Sequence, residues 1–395
     1  MNVPNDYHHG QTIREFRKER GMTLAELAEH WPAGSVSTRY IQGVESGEKH
    51  ITDQDMLRQL AELLDIPLWR FGLSEYNPFN PHELPGHGER IYNETLDVVE
   101  RLVEQTWHMR RAAPMPETLE STKQLITLFE NLRASLPTAS RLEKRFLKMF
   151  AQVQRLNAIM HIERREYDQA FDAFKTMHRI ALELAEPSTI ALSLMGIGTE
   201  LERAGKKQGA IEALEEARDA SFEASRQIAA LVNAYLARAY ASNRDEKRFL
   251  RAIDTAQAIA TNLGKRYGDG TDYVYHTMSG ILAERSYGYL EIGAPQKTLG
   301  LKGEINLAID STHNSWLDAW IPFDWARAYL MAGDIEASVS AGFEFFARAV
   351  RLKSPHAINR AFQHLIQIHD AGLADLQMMK KAYPAFLQGV MEPQY

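Results

Sequence analysis

The stretch that decides the fold is QTIREFRKERGMTLAELAEHWPAGSVSTRYIQGVESGEKHITDQDMLRQLAELLDIPLWRF, residues 11–71. Its apolar residues recur at helical spacing, and glycine, proline and capping residues mark the breaks. The pattern predicts five short helices, of which the second and third form a helix-turn-helix. Thr23 is placed to cap the second helix, with Glu26 three residues on as in a capping box. Ser37 is placed to cap the third helix.

The other predicted helix ends and the buried faces also follow from local pattern. Gly21 ends the first helix and Gly47 ends the third. Thr52 opens the fourth helix, and a fifth short helix runs through Trp69 and Phe71. The residues expected in the core are Ile13, Phe16, Leu24, Leu27, Ala28, Ile41, Val44, Met56, Leu57, Leu60, Ala61 and Leu64.

This pattern resembles the XRE, or lambda-repressor/Cro-like, helix-turn-helix domains. The resemblance is carried by Arg14 and Arg17, Gly21-Met22-Thr23, Leu27-Ala28, Ile41…Val44-Glu45…Gly47, and Leu60-Ala61…Leu64…Ile66. Two features depart from the family. The turn around Trp31-Pro32-Ala33-Gly34 is longer than usual, and Leu24 stands where the family often has a glutamine that contacts phosphate.

The resemblance implies that the start of the third helix enters the major groove of DNA. Arg39 and Gln42 are the expected base readers, because Arg bonds guanine and Gln bonds adenine in a bidentate manner. Charged residues elsewhere are candidates for phosphate contacts, although such charges are also ordinary solvated groups on a helix surface. The full set of expected DNA-contacting residues is Arg14, Arg17, Ser37, Thr38, Arg39, Tyr40, Gln42 and Lys49.

The charge of this region argues against strong binding by a single copy. Residues 1–75 hold 8 Lys and Arg against 12 Asp and Glu, a net charge of −4. DNA binding draws much of its strength from phosphate neutralisation. We therefore expect the acidic side chains to be turned away from DNA, the binding to be salt-sensitive, and the protein to act as a homodimer on double-stranded DNA.

The composition of the whole chain is that of an ordinary globular protein. Its 395 residues are 45% hydrophobic and 25% charged, with a net charge of −7 and no cysteine. The lack of cysteine excludes disulfides, thiolate metal sites and a cysteine nucleophile. The sequence holds no run long enough to span a membrane, no signal peptide and no nucleotide-binding or hydrolase motif. We expect a soluble cytoplasmic protein that is no enzyme and needs neither metal nor cofactor.

The chain divides into four expected segments. Residues 1–10 are a flexible tail, residues 11–75 the helix-turn-helix domain, and residues 76–90 a linker rich in proline and glycine. Residues 91–395 lack strand-like alternation and are rich in helix-forming residues, so the fold class is all-α. Breaks at proline, glycine and asparagine cut this last segment into about fourteen helices.

Those helices fall into repeated pairs about 40 residues apart. The second helix of several pairs carries small or apolar residues at a spacing of four then three: Ala170/Phe174/Met177, Ala210/Leu214/Ala217, Phe249/Ile253/Ala256 and, more weakly, Ala337/Ala341. This resembles degenerate tetratricopeptide repeats, which form an α-solenoid whose first helices line a concave face. A generic all-α bundle is the alternative. The residues we expect on the concave face are Asn157, Asn233, Tyr235, Arg238, Tyr273, His276, Trp316, Trp320, Arg327 and Asn359.

A helix-turn-helix domain joined to such repeats resembles the RRNPP group of peptide-pheromone receptors. The resemblance implies a homodimeric transcription regulator, active in quorum sensing, whose repeats bind a short signalling peptide. The implied peptide contacts are Asn157, Asn233, Arg238, Tyr273, His276, Arg327 and Asn359, with asparagines holding the peptide backbone. Two alternatives remain open: a regulator whose repeats bind a folded protein partner, and a scaffold in which DNA binding is weak or lost.

Overall fold

The computed structural model describes residues 8–73, 87–135, 140–263, 272–274, 278–310, 315–375, 377–379 and 381. Every regular element within these residues is a helix, which confirms the all-α prediction. The chain forms two compact units, Met1–Glu94 and Thr95–Tyr395. The first contains the helix-turn-helix, and the second contains an array of longer helices.

The N-terminal unit has the helices that the sequence predicts. They are α1 (His9–Glu19), α2 (Leu24–Glu29), α3 (Thr38–Glu45) and α4 (Gln54–Leu64), followed by a 3₁₀ helix (Leu68–Phe71) in place of a fifth α-helix. Ile13, Leu27, Ile41, Leu60 and Leu64 are fully buried and form one apolar cluster. The helices are short, so packing around this cluster rather than helix propensity stabilises them.

Capping residues fix where these helices begin. The Thr23 hydroxyl accepts a hydrogen bond from the Glu26 amide at 3.2 Å, and the Glu26 carboxylate accepts one from the Thr23 amide at 2.7 Å. The Ser37 hydroxyl accepts from the Tyr40 amide at 3.2 Å. The cap of α4 is Asp53 rather than the expected Thr52, because its carboxylate reaches the Asp55 amide at 2.9 Å.

The end of the expected N-terminal tail belongs to the first helix. His9 and Gly10 lie in α1, and Gly10 is buried against α3. A Cβ atom at Gly10 would lie 1.8 Å from the Val44 carbonyl oxygen, so this close helix contact requires glycine. The tail prediction is therefore wrong for residues 9–10, and residues 1–7 lie outside the described residues.

The long turn between α2 and α3 is held in the core by its own tryptophan. The Trp31 side chain is buried and makes an edge contact with the Tyr40 ring, with centroids 5.8 Å apart. The Val36 amide donates to the Ala28 carbonyl at 2.9 Å, which closes the turn. Gly34 supplies the positive φ of 99° that the extra length needs. The turn therefore fixes the position of the start of α3 relative to the core of the unit.

The helical array begins with a helix that starts inside the expected linker. Its elements are α5 (His87–Ala112), α6 (Met115–Ser135), α7 (Ser140–Glu163), α8 (Tyr167–Leu184), α9 (Pro187–Arg203), α10 (Lys207–Ser221), α11 (Arg226–Ser242), α12 (Glu246–Leu263), α13 (Met278–Glu291), α14 (Pro295–Gly300), α15 (Lys302–Asp310), α16 (Ser315–Ala332), α17 (Ile335–Arg351) and α18 (Pro355–Asp370). The described part of this segment thus has the fourteen helices expected, although α14 and α15 are short. The rest of the expected linker, residues 76–86, lies outside the described residues.

Consecutive helices pack as hairpins. The closest pairs are α7 with α8, α9 with α10, α11 with α12, and α16 with α17. The second helices of the first three pairs begin at Tyr167, Lys207 and Glu246, about 40 residues apart. The predicted stripes on these second helices are buried, from Ala170, Phe174 and Met177 through Phe249, Ile253 and Ala256. The helix-turn-helix is therefore followed by a region of repeat-like helical hairpins.

Large side chains of the stripes fit against glycines of the neighbouring helix. A Cβ atom at Gly288 in α13 would lie 2.2 Å from the Phe249 ring of α12, and one at Gly196 in α9 would lie 2.2 Å from the Phe174 ring of α8. Each ring therefore lies directly on the backbone of the next helix. Such contacts set the distance between successive hairpins.

We expect Gly288→Ala to lower the free energy of unfolding by about 1–3 kcal/mol, because the buried Phe249 ring leaves no space for a methyl group. Alanine in a helix normally stabilises relative to glycine by about 0.5–1 kcal/mol. Gly209→Ala is the matched control, since its Cβ atom would meet only Leu201 Cδ1 at 3.7 Å. Urea unfolding of both variants checks this, and equal stabilisation by both would contradict it.

The first helices of the array also meet its last helices. The Met115 amide donates to the Leu352 carbonyl at 2.9 Å, and Met160 and Trp316 belong to the same apolar cluster. The Ser354 hydroxyl donates to the buried Glu163 carboxylate at 2.6 Å. We call this set of contacts the closing junction. It joins residues that lie 191 positions apart in the chain, as in the pair Glu163 and Ser354.

Candidate DNA-binding surface and ligand cavity

The N-terminal half of α3 presents its polar residues to solvent. Thr38, Arg39 and Gln42 are exposed, whereas Ile41 and Val44 on the opposite side of the helix are buried. Ser37 is also exposed, although its hydroxyl is engaged in the helix cap. The two expected base readers therefore share one accessible face of a short, capped helix. This is the arrangement that reading base edges in a major groove requires.

Tyr40 and Lys49 form a stacked pair beside this face. The half-buried Tyr40 ring packs on Trp31, and the Lys49 ammonium lies 4.5 Å from the centre of that ring. The Lys49 amide also donates to the Gly43 carbonyl at 2.9 Å. Lys49 therefore keeps an exposed charge near the end of α3, while Tyr40 mainly supports the position of the helix.

Arg17 does not have the exposed position that a phosphate contact needs. Its Nε donates to the Glu45 carboxylate at 2.6 Å and its Nη2 at 3.0 Å, and both side chains are less than a tenth exposed. Its Nη1 donates to the Met22 carbonyl at 2.8 Å. The expected role of Arg17 is corrected: it ties α1 to the end of α3. Arg14 lies on the exposed side of α1 and stays a candidate for a phosphate contact.

The helical array contains a central cavity of about 840 Å³. Its lining comes from α5, α7, α9, α11, α13, α16 and α18, together with residues of the segment that follows α12. Among the described lining residues, none belongs to α8, α10, α12 or α17. The first helix of each hairpin thus faces the cavity, as expected for a concave face. The aromatic residues of the wall are Trp107, Tyr235, Tyr273, Tyr287, Trp316, Trp320 and Phe323.

Three of the seven residues expected to contact a peptide line this cavity. They are Arg238 of α11, Tyr273 after α12 and Arg327 of α16. His276 lies outside the described residues. The asparagines Asn157 and Asn359 are half-buried but are absent from the lining that the structure describes. The structure therefore brings together the charged and aromatic candidates and not the asparagines.

Asn233 faces away from the cavity. Its side chain is buried, and its Nδ2 donates to the Ala229 carbonyl at 2.8 Å within α11. It lines a separate groove with residues of α10 and α12, such as Arg218 and Arg248. The expectation that this asparagine lies on the concave face is wrong, because the cavity side of α11 carries Tyr235 and Arg238 instead.

Sequence reasoning missed how many arginines the cavity would collect. Among the described lining residues there are seven arginines and four carboxylic acids. The arginines are Arg110, Arg111, Arg155, Arg203, Arg238, Arg327 and Arg360. Six of the seven helices that line the cavity contribute at least one of them. An arginine recurring on the first helix of successive pairs was the signal in the sequence.

Most of these arginines are held by carboxylates or carbonyls of the wall. Arg155 donates to the carbonyls of Asp272 and Tyr273 at 3.0 and 2.8 Å. The carboxylate partners lie on the same or a neighbouring cavity-lining helix: Arg110 with Glu163 at 3.3 Å, Arg203 with Glu200 at 3.3 Å, Arg238 with Glu202 at 3.2 Å, and Arg327 with Glu291 at 2.8 Å. Such pairs fix the guanidinium groups in place before any ligand arrives.

Burial shifts the protonation of several other groups in the wall. It raises the pKa of Glu284 to about 7 and that of Asp324 to about 6, because it penalises the charged carboxylates. It lowers the pKa of His356 to about 3 and that of His364 to about 4, so both imidazoles are neutral at pH 7. Near neutral pH the net charge of the cavity wall is therefore more positive than it would be if all four carboxylic acids were ionised.

Comparison with known proteins bears on the N-terminal unit. Residues 13–68 match the helix-turn-helix family. No curated protein matches the chain. The match agrees with the residues on which the XRE resemblance depends and supports a DNA-binding transcription regulator.

Two further properties concern the residues that the structure describes. None of their helices combines the length and the apolar character needed to cross a membrane. Their His, Asp and Glu side chains also form no group of three or more that is placed to hold a metal ion.

Proposed function

We propose that this chain is a sequence-specific transcription regulator that reads DNA with α3 and binds a short signalling peptide in the central cavity of its helical array. The array also mediates homodimerisation in this proposal. The observation that carries it is the joining of two features in one chain: an exposed recognition helix in a matched helix-turn-helix, and a preformed cavity lined by the first helices of repeated hairpins.

The DNA-binding part is supported by the face of α3. Arg39 and Gln42 lie on the exposed side of this helix, and the Ser37 cap fixes its start. Arg14 and Lys49 supply exposed positive charge for phosphate contacts. Arg17 is left out of the proposed contacts, since its charge is neutralised within the unit by Glu45.

The peptide-binding part is supported by the size and chemistry of the cavity. Its volume of about 840 Å³ falls in the range of about 300–1,000 Å³ that is typical of ligand sites. Tyr273 and the tryptophans of the wall offer apolar surface for side chains, while Arg238 and Arg327 offer fixed donors for carbonyl or carboxylate oxygens. A folded protein domain would not enter a space of this size.

Homodimerisation is supported by the weak electrostatics of one copy. With a net charge of −4 over residues 1–75, one helix-turn-helix gains little from phosphate neutralisation. Two copies on paired half-sites add their contacts, and the half-site spacing then depends on the distance between the two α3 helices. A peptide that binds one dimer geometry better than another changes operator affinity by that difference.

Replacing Arg39 by Ala is expected to weaken operator binding by about 1–3 kcal/mol and to relax the preference at one base pair. Arg14→Ala is the matched comparison: loss of a phosphate contact weakens all sequences alike and lowers the salt slope by about one. Selection from random DNA with the wild-type protein first defines the operator, and binding is then measured against salt. Unchanged affinity and base preference in Arg39→Ala would contradict the role of α3.

The acidity of the N-terminal unit favours one alternative, a scaffold in which DNA binding is weak or lost. In that case the helical array binds a protein partner outside the cavity. Footprinting on the host chromosome separates the two functions, since paired half-sites support the regulator. No site under any growth condition, together with a folded protein that co-purifies with the chain, supports the scaffold.

A further inference from the structure

One arginine of the cavity wall differs from its neighbours. Arg360 of α18 lines the cavity but has no hydrogen bond and no ion pair with any residue that the structure describes. By contrast Arg203, Arg238 and Arg327 each have a carboxylate partner within 3.3 Å. Among the described residues, Arg360 therefore has no carboxylate partner to neutralise its charge.

The groups around Arg360 supply no negative charge to balance it. The side chain of Arg360 is partly exposed to solvent. The burial of its remaining part and, after that, repulsion from the charge of Arg203 lower its pKa. His356, one helical turn earlier, is neutral and lies with Nδ1 3.3 Å from the Tyr167 hydroxyl. Arg360 thus lies beside other donors and cations rather than beside an acid.

The same face of α18 continues with two amide side chains. Gln363 and Gln367 follow Arg360 at three and seven residues, which is the spacing of one helix face, and both line the cavity. A guanidinium offers a planar fork of donors, and each glutamine adds two amide donors. This row of donors suits a ligand group that carries several acceptor oxygens and a negative charge.

We propose that the ligand of the cavity presents an oxyanion, a carboxylate or a phosphate, to Arg360, with Gln363 and Gln367 beside it. This inference rests on the proposed peptide-binding function and names the group that orients the ligand. In a peptide the group is a C-terminal carboxylate or an acidic side chain. If the ligand is a phosphorylated small molecule instead of a peptide, the group is its phosphate, and Arg360 binds it in the same way.

The test uses the purified full-length chain and two pooled libraries of random hexapeptides, one with free C-terminal carboxylates and one amidated. Peptides retained in equilibrium dialysis are identified by mass spectrometry for the wild type, Arg360→Gln and Arg360→Lys. Arg179→Gln is the matched control, because Arg179 is an exposed arginine on α8, outside the cavity lining. Thermal melting confirms that every variant folds.

We expect the wild type and Arg179→Gln to retain acid-form peptides at least about tenfold better than acidic-residue-free amidated ones, since charged hydrogen bonds are the strong ones. Arg360→Gln is expected to lose this preference while it still retains peptides, and Arg360→Lys to keep part of it. Equal retention of acid-form peptides and of amidated peptides without acidic residues by the wild type, or a preference unchanged in Arg360→Gln, would overturn the proposal.

A second experiment tests oxyanion binding at Arg360, called the oxyanion anchor, independently of peptide binding. Inorganic phosphate is titrated into each variant, and the fluorescence of the wall tryptophans Trp107, Trp316 and Trp320 reports binding. If no peptide is retained but phosphate binds in an Arg360-dependent way, the oxyanion anchor is supported and the peptide function fails. If neither probe shows dependence on Arg360, the anchor itself is wrong.

Discussion

Arg17→Ala is expected to lower the free energy of unfolding of the N-terminal unit by about 3–5 kcal/mol, which is the usual cost of removing one partner of a buried ion pair. The variant leaves the Glu45 carboxylate buried without its two hydrogen bonds, and it frees the Met22 carbonyl from the Arg17 guanidinium. Since the pair joins α1 to the end of α3, its loss should loosen the recognition helix as well.

Hydrogen exchange of amides in α1, α3 and α4, measured in the intact chain against denaturant, reports this stability. Arg14→Ala is the control, because Arg14 is exposed on the same helix, and we expect a change within about 0.5 kcal/mol. The double variant Arg17→Met/Glu45→Leu should recover much of the loss, since an apolar pair needs no counter-charge. If Arg17→Ala exchanges like the wild type, the pair contributes little to stability.

Arg238→Ala should be the most damaging single change in the cavity wall. Its guanidinium lies 3.2 Å from Glu202 and 3.7 Å from Glu284, whose side chains are 10% and 13% exposed. Removing one partner of a buried pair costs about 3–5 kcal/mol, and we expect the lower part of that range because Arg238 itself is 28% exposed. Urea unfolding of the full-length variant measures it.

The destabilisation caused by Arg238→Ala should depend on pH. Glu284 can bind a proton, and the neutral carboxyl group no longer needs Arg238 as a counter-charge. Burial raises the pKa of Glu284 to about 7, and Arg238 is the main group that opposes that rise. Without Arg238 the carboxyl stays protonated to a higher pH, so its folded pKa moves further from the unfolded value near 4.5. A carboxyl group whose pKa is raised in the folded state reduces stability as the pH rises towards that pKa. We therefore expect Arg238→Ala to lower the free energy of unfolding by about 1 kcal/mol more at pH 8 than at pH 6.

Glu284→Gln isolates this contribution from the other groups that face the site, Glu202, Tyr235 and Asp324. Because an amide avoids the burial of a charge, Glu284→Gln should stabilise the protein at pH 8 relative to the wild type. The double variant Arg238→Ala/Glu284→Gln should lose most of the extra pH dependence, and the remainder belongs to Asp324, whose raised pKa is also lowered by Arg238. A loss for Arg238→Ala that is the same at pH 6 and pH 8 would show that Glu284 does not take up the proton.

The sequence predicts those features whose cause lies within a few residues. The capping box of Thr23 and Glu26, the Ser37 cap and the buried stripe of α4 all depend on spacings of three or four. The ion pair of Arg17 with Glu45 joins residues 28 positions apart, so no local pattern distinguishes Arg17 from an exposed arginine such as Arg14. That difference arises only when α1 packs on α3.

The lining of the cavity is likewise only partly predictable from local sequence. The hairpins and their first-helix lining follow from the repeat, but the side of a helix that faces inward does not. Residues 233 and 238 are about 140° apart around a helix of 3.6 residues per turn, so Asn233 and Arg238 cannot share one face. Helical periodicity therefore shows that Asn233 and Arg238 cannot both contact one ligand in the cavity. Only tertiary packing determines that Arg238 is the one that lines the cavity.

The closing junction has a consequence for how this protein can change over evolution. In an open solenoid each repeat contacts only its neighbours, so repeats are gained and lost without harm to the rest. Here Met115 bonds to Leu352, and Glu163 bonds to Ser354, across the whole length of the array. Inserting or deleting one hairpin would move these partners out of register. We therefore expect proteins descended from this chain to keep its number of hairpins and to vary by substitution and in the turns between helices.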